Sequence, residues 1–141
     1  VVTGAQRDAL IDELARAQRD DGGWALEAMG PWKWSKTAPP VKSPGDLDAS
    51  LLTQSDGYAT GLVVYTLKQA GVAPCHAALR KGVQWVTTNQ RAALVPDIPG
   101  RAWHAHSLNY DREHGGEKGE PWRRLFMSDT ATAFAILPVC D

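Results

Sequence analysis

Cysteine is scarce in this chain. Cys75 and Cys140 are the only two, too few for a disulfide framework and without a Cys-x-x-Cys pair for zinc, haem or redox chemistry. An excess of either charge is also missing: 15 Lys plus Arg stand against 16 Asp plus Glu, a net charge of −1. That balance offers no electrostatic case for nucleic acid or an anionic membrane surface. No apolar run approaches the ~18 residues that span a bilayer, and the N-terminus lacks the basic-then-apolar order of a signal peptide. These absences predict a water-soluble chain with no transmembrane segment and leave its compartment open. No Ser-His-Asp elbow, phosphate-cradling glycine loop or dinucleotide fingerprint occurs, so no cofactor is expected.

What is present is enough apolar material for one core: 141 residues, 43% hydrophobic, the size of one ordinary domain. Six tryptophans fall mostly in or beside loops, where large rings pin loops to helices. The chain opens at Val1 without methionine and stops at Asp141 just past an apolar run. This suggests a piece of a longer chain or assembly, from which an export signal could have been lost.

The most informative stretch is Gln18-Arg19-Asp20-Asp21-Gly22-Gly23-Trp24, which closes a helix. A partial echo, Lys81-Gly82-Val83-Gln84-Trp85 continuing to Gln90, places Gln90 72 residues after Gln18. Ser55-Asp56 and Ser128-Asp129, each opening an apolar segment, repeat at 73. Two markers with nearly one period predict an internal repeat of helical units, about 1–70 and 71–141, each too small to bury its apolar face alone.

The first helix opens at Thr3, with Gln6 placed for a capping box, and carries Leu10, Ile11, Leu14 and Ala17 as one apolar stripe. Gly22-Gly23 ends it. A second helix opens at Ser55 or Asp56, is apolar nearly all round, and stops before Gly71; it is expected to lie inside, with the charged first helix outside. A third starts with Pro74 in its first turn and runs to about Gln90. A fourth runs from Ser128 to about Leu137, ended by Pro138. Gly/Pro-rich stretches at 27–54 and 91–127 predict long irregular loops.

Charged outer helix, Gln-x-x-x-Gly-x-Trp turn, loop, then Asp-opened apolar inner helix: this order resembles the repeat of squalene-hopene cyclases and their relatives. In these and in the similar protein prenyltransferase β-subunits, helix pairs build an α/α toroid. Gln18, Gly22 and Trp24 carry the match in the first unit, and Lys81, Gly82, Trp85, Val86 and Gln90 in the second. The resemblance implies an all-α fold, a toroid segment of about two helix pairs. Two pairs cannot close a ring, so it also implies another protein chain or further toroid segments as partners. The glutamines and tryptophans are expected to act as packing devices, each amide bonding a neighbouring helix's free backbone groups while the indole stacks over it.

The resemblance extends to chemistry only where residues match. The cyclases' Asp-x-Asp-Asp acid is reduced here to Asp46-Leu47-Asp48-Ala49, which lacks the third aspartate. Asp56 and Asp129 are the remaining catalytic candidates, since the repeat puts both at the same end of inner helices, although an aspartate there also serves as a helix cap. Prenyltransferases hold zinc with Asp, Cys and His; this chain has Cys75-His76, His114 and the pair His104 and His106, which could share one side of an extended loop, but no Asp-x-Cys motif. Should the chain bind an isoprenoid or other lipid, Tyr58, Tyr65, Trp103 and Phe134 would supply aromatic faces for it. The expected role is therefore a structural or interaction domain in a larger assembly; the alternative is a segment of a terpenoid cyclase or isoprenoid-binding enzyme whose acid lies elsewhere.

Overall fold

The computed structural model describes residues 3–29, 54–92, 100–103, 105 and 121–139. Four α-helices dominate: α1 (Gly4–Arg16), α2 (Gly57–Gln69), α3 (Ala77–Thr88) and α4 (Pro121–Ile136). Short 3-10 turns occupy Leu26–Met29 and Leu137–Val139, and a two-residue antiparallel ladder joins β1 (Arg91–Ala92) to β2 (Arg101–Ala102). The protein is all-α in class. None of its described helices is long and apolar enough to cross a membrane.

Local chemistry explains most helix ends. Thr3 and Gln6 form the expected capping box on α1. Asp56 caps α2, its Oδ1 accepting from the Ala59 N–H at 2.8 Å. At the other end Gly71 takes a φ of +74°, its N–H donating to the Lys68 carbonyl while that of Val72 reaches Leu67, a Schellman motif that satisfies the last carbonyls.

Three boundaries differ from expectation. α1 stops at Arg16, well before Gly22-Gly23, because residues 17–23 form a separate hydrogen-bonded turn in which Arg19 N–H meets the Gly23 carbonyl at 3.0 Å. α3 starts at Ala77 with His76 as its cap residue, leaving Pro74 in the preceding turn. α4 begins at Pro121, seven residues before Ser128, since proline is well suited to the first helical position, where its missing N–H costs nothing. Residues 121–127, expected to be irregular, are accordingly helical.

α2 is the inner helix. Gly57, Ala59, Thr60, Gly61, Val63, Val64 and Leu67 are all buried on it, whereas α1 buries no residue. α3 and α4 both pack on α2. At the α2–α4 crossing Gly61 is indispensable: a Cβ there would lie on the Phe134 carbonyl and 2.6 Å from the Ala135 nitrogen. At the α2–α3 contact a Cβ on Gly82 would lie 2.6 Å from Val64 Cγ2 and 2.8 Å from Trp24 Cζ3. The core divides accordingly into one cluster around Trp24, Val63, Val64 and Leu67 and another around Trp85, Val86, Trp103, Ala131 and Ala135. Leu10, expected on the buried stripe of α1, is instead 52% exposed; Ile11 and Leu14 carry the contact with the core.

Candidate functional site

The residues singled out in the sequence meet where the turn after α1 wedges between α2 and α3. Gln18 donates its amide to the Gly22 carbonyl at 2.8 Å and to the Ala78 carbonyl of α3 at 2.9 Å. Ala78 lies in the first turn of α3, so the amide adds a second donor to a helical carbonyl rather than meeting an orphaned group. Gly22, at φ +90°, lies against the backbone of Lys81, whose carbonyl oxygen would be 3.0 Å from a Cβ. Lys81 itself is exposed. Trp24 is wholly buried. Its indole N–H donates to the Leu14 carbonyl at 2.8 Å, covering one of the last-turn carbonyls that α1 leaves without a helical donor.

Asp56 and Thr60 complete this cluster from α2. The Trp24 N–H donates to Thr60 Oγ1 at 3.0 Å, the Asp56 N–H donates to the Trp24 carbonyl at 2.9 Å, and the Leu26 N–H donates to Asp56 Oδ2 at 2.8 Å. Asp56 is 2% exposed, and each of its carboxylate oxygens is held by a backbone N–H.

A second copy of this arrangement surrounds Trp103. Its indole N–H donates to the Val86 carbonyl at 2.9 Å, its backbone N–H to Thr132 Oγ1 at 3.1 Å, and its carbonyl accepts from Ser128 Oγ at 3.2 Å. Leu14 and Val86, Thr60 and Thr132, Asp56 and Ser128, and Gln18 and Gln90 all stand 72 residues apart. The structural equivalent of Asp56 is therefore Ser128, not Asp129. Asp129 is exposed in the interior of α4, not at a helix N-terminus. The shift of one residue arises because α4 extends upstream to Pro121: a residue inside a helix has its N–H committed to the preceding turn, so the Ser128 hydroxyl makes the contact that the Asp56 backbone makes in the first copy.

Trp103 takes the place of Trp24 in the second copy, not that of an exposed ring: it is 5% exposed with its N–H engaged. In the sequence it stands as a delayed Gly100-Arg101-Ala102-Trp103, with one residue too many between Gly and Trp, because position 96, where the period would place a tryptophan, is proline. The ladder Arg91↔Ala102 and Ala92↔Arg101 closes off the inserted residues and delivers Trp103 to the tryptophan position. Lys81, Gly82 and Trp85 are likewise not the second copy of the first turn; they are the part of α3 on which it sits. Gln90 has the register of Gln18 but makes no side-chain hydrogen bond to a described residue.

Of the other aromatic candidates, Tyr58 and Phe134 meet edge to face, ring centroids 4.7 Å apart, while Tyr65 is half-buried farther along α2. His104, His106, His114, Asp46 and Asp48 lie outside the described residues, as do Trp32 and Trp34. Among the described residues no three His, Cys, Asp or Glu side chains group as a metal site; Cys75 is an exposed thiol.

Asp21 is the unforeseen member. Its Oδ1 accepts from the Gly23 N–H at 3.0 Å and the Ser55 hydroxyl at 2.7 Å, and its Oδ2 from the Trp85 indole at 3.0 Å. It borders an open groove of about 350 Å³ that also meets Arg19, Asn89 and Arg91. Burial pushes the Asp21 carboxyl up, but the Gly23, Ser55 and Trp85 donors and the nearby Arg19 charge outweigh it and hold the group below its ordinary value. With the folded value depressed, the unfolded chain binds the proton more readily, so this stabilisation is complete above the ordinary carboxylate pKa of about 3.9 and is lost as pH falls through the lower folded value. Thermal melts across acidic pH should therefore show a larger acid-induced loss of Tm for the native protein than for Asp21→Asn; equal losses would show that the three contacts do not favour the ionised form.

No family model, curated protein or solved structure matches this chain.

Proposed function

We propose that the chain is an architectural helical unit of the squalene-cyclase-like α/α-toroid kind, burying its free helix faces against another protein chain or further toroid segments. The observation that carries this reading is the use made of Asp56. Its two carboxylate oxygens accept from the Ala59 and Leu26 N–H groups, so the residue best placed by sequence to serve as an acid acts as a cap and a splint. Gln18, Trp24 and Trp103 are spent in the same way on backbone groups of neighbouring helices.

One observation favours a second reading, that of an isoprenoid-binding or terpenoid-cyclase segment. Tyr58 and Phe134 form a half-buried aromatic pair between α2 and α4, and such faces attract apolar chains and cations.

The architectural reading is tested on Asp56, and the second reading on whether the purified chain retains an isoprenoid in native mass spectrometry. Under the architectural reading the purified chain turns over neither squalene nor a prenyl diphosphate, and Asp56→Ala lowers stability by about 2–4 kcal/mol, combining a lost helix cap with a stranded buried N–H. Product formation by the native chain that disappears in an Asp56→Asn variant of unchanged melting temperature would overturn it.

A further inference from the structure

The 72-residue register relates surfaces as well as residues. Within the chain the second unit docks on the first at two points: Gly82 of α3 against Val64 of α2, and the Phe134–Ala135 backbone of α4 across Gly61 of α2. Moved forward by one period, the receiving residues Val64 and Gly61 become Ile136 and Ala133. Moved back by one period, the docking residues Gly82 and Phe134 become Leu10 and Leu62.

Three of these four images are exposed. Ile136 is 40% exposed and Leu10 52%; Ala133 is exposed and Leu62 half-buried. Leu137 and Val139, 44% and 41% exposed, follow Ile136 in the turn after α4. These four are the exposed large hydrophobic side chains among the described residues. Leu10 stands on the side from which a unit docks, Ile136 on the side that receives one, and the other two follow it in the turn after α4.

We infer that a second copy of this chain docks head to tail on α4, with Leu10 of one copy seated against Ile136 of the next, continuing the α2–α3 and α2–α4 contacts across the boundary between chains. The inference rests on the architectural reading and names its partner. The junction is wider than the internal one. Leu10 replaces Gly82 and Ala133 replaces Gly61, so the close backbone approach of the internal contact gives way to side-chain ridges, at the roughly 8–10 Å helix spacing typical of such packing. Because the two faces differ, the contact is heterologous, and its products are rings or open stacks.

Sedimentation velocity on the full chain over a wide concentration range tests this. The native protein should shift from monomer to larger species as concentration rises. Leu10→Lys and Ile136→Asp, both at exposed positions, should each weaken self-association at least about tenfold while leaving the circular dichroism melt unchanged, as surface changes away from packed features usually do; Ala133→Arg serves for the α4 side should Ile136→Asp fail to fold. The decisive sample is the mixture. Leu10→Lys retains an intact α4 side and Ile136→Asp an intact α1 side, so together they should form a one-to-one complex that grows no further. A native chain that stays monomeric, or a mixture whose components stay apart, overturns the inference. Neither result touches the architectural reading, which Asp56-dependent turnover would overturn.

Discussion

Trp24→Ala is expected to cost about 3–5 kcal/mol, a large share of the roughly 5–15 kcal/mol that holds a domain folded. The ring is wholly buried at the centre of the first cluster, against Gly82 and in the same cluster as Val64, and its N–H covers the Leu14 carbonyl. Trp24→Phe separates the two contributions. It keeps most of the packing but strands the carbonyl, with an expected loss of about 1–3 kcal/mol. Trp103→Phe should behave in parallel, since its N–H covers Val86 in the same manner. Urea denaturation followed by circular dichroism measures all three. If Trp24→Phe and Trp103→Phe leave the midpoint where it was, the indole caps contribute nothing and the equivalence of the two tryptophans is only geometric.

Gly61→Val should do comparable damage by the opposite route. Its Cβ would clash with the Phe134 carbonyl, and backbone within a helix cannot rotate aside as a side chain does. α2 and α4 would have to move apart, opening the cluster that holds Ala131, Ala135 and Trp103. Overpacking of a core typically costs about 1–3 kcal/mol and occasionally more; with backbone as the obstacle we expect about 3 kcal/mol or above. Gly82→Ala provides the comparison. It meets a Val64 methyl group and the Trp24 ring edge, which have some freedom to yield, so its loss should be smaller. Thermal melts of the two variants establish the order, and a Gly82→Ala protein less stable than Gly61→Val would show that α4 slides over α2 more freely than this crossing implies.

Residues whose roles are local are readable in the amino-acid sequence. Thr3 and Gln6 cap α1 as their spacing indicates. Gly71 closes α2 because a left-handed residue is needed there, and Asp56 opens it because an aspartate side chain reaches the free N–H two to three residues on. The inner character of α2 follows from its composition. Roles that depend on how separate segments meet are not readable in this way. Asp21 is exposed, as a turn aspartate should be, yet it also ties Ser55 and Trp85 to one turn. Leu10 has the spacing of a core residue and lies half exposed. Asp129 matches Asp56 by neighbouring letters, yet the hydrogen bonds select Ser128.

Helical class, the approximate period, the caps of α1 and α2 and the inner helix were thus determined by the amino-acid sequence itself, because each depends on groups within a few residues or on a composition that cannot face water on every side. The exact register of the repeat, the seating of Trp103 against Val86 and Thr132 and the bond by which Asp56 ties Leu26 to α2 were decided only in the tertiary structure. Each turns on backbone donors and acceptors brought together from positions 17 to 36 residues apart, and the linear order of side chains says nothing of which of those groups remains unsatisfied until the helices have packed.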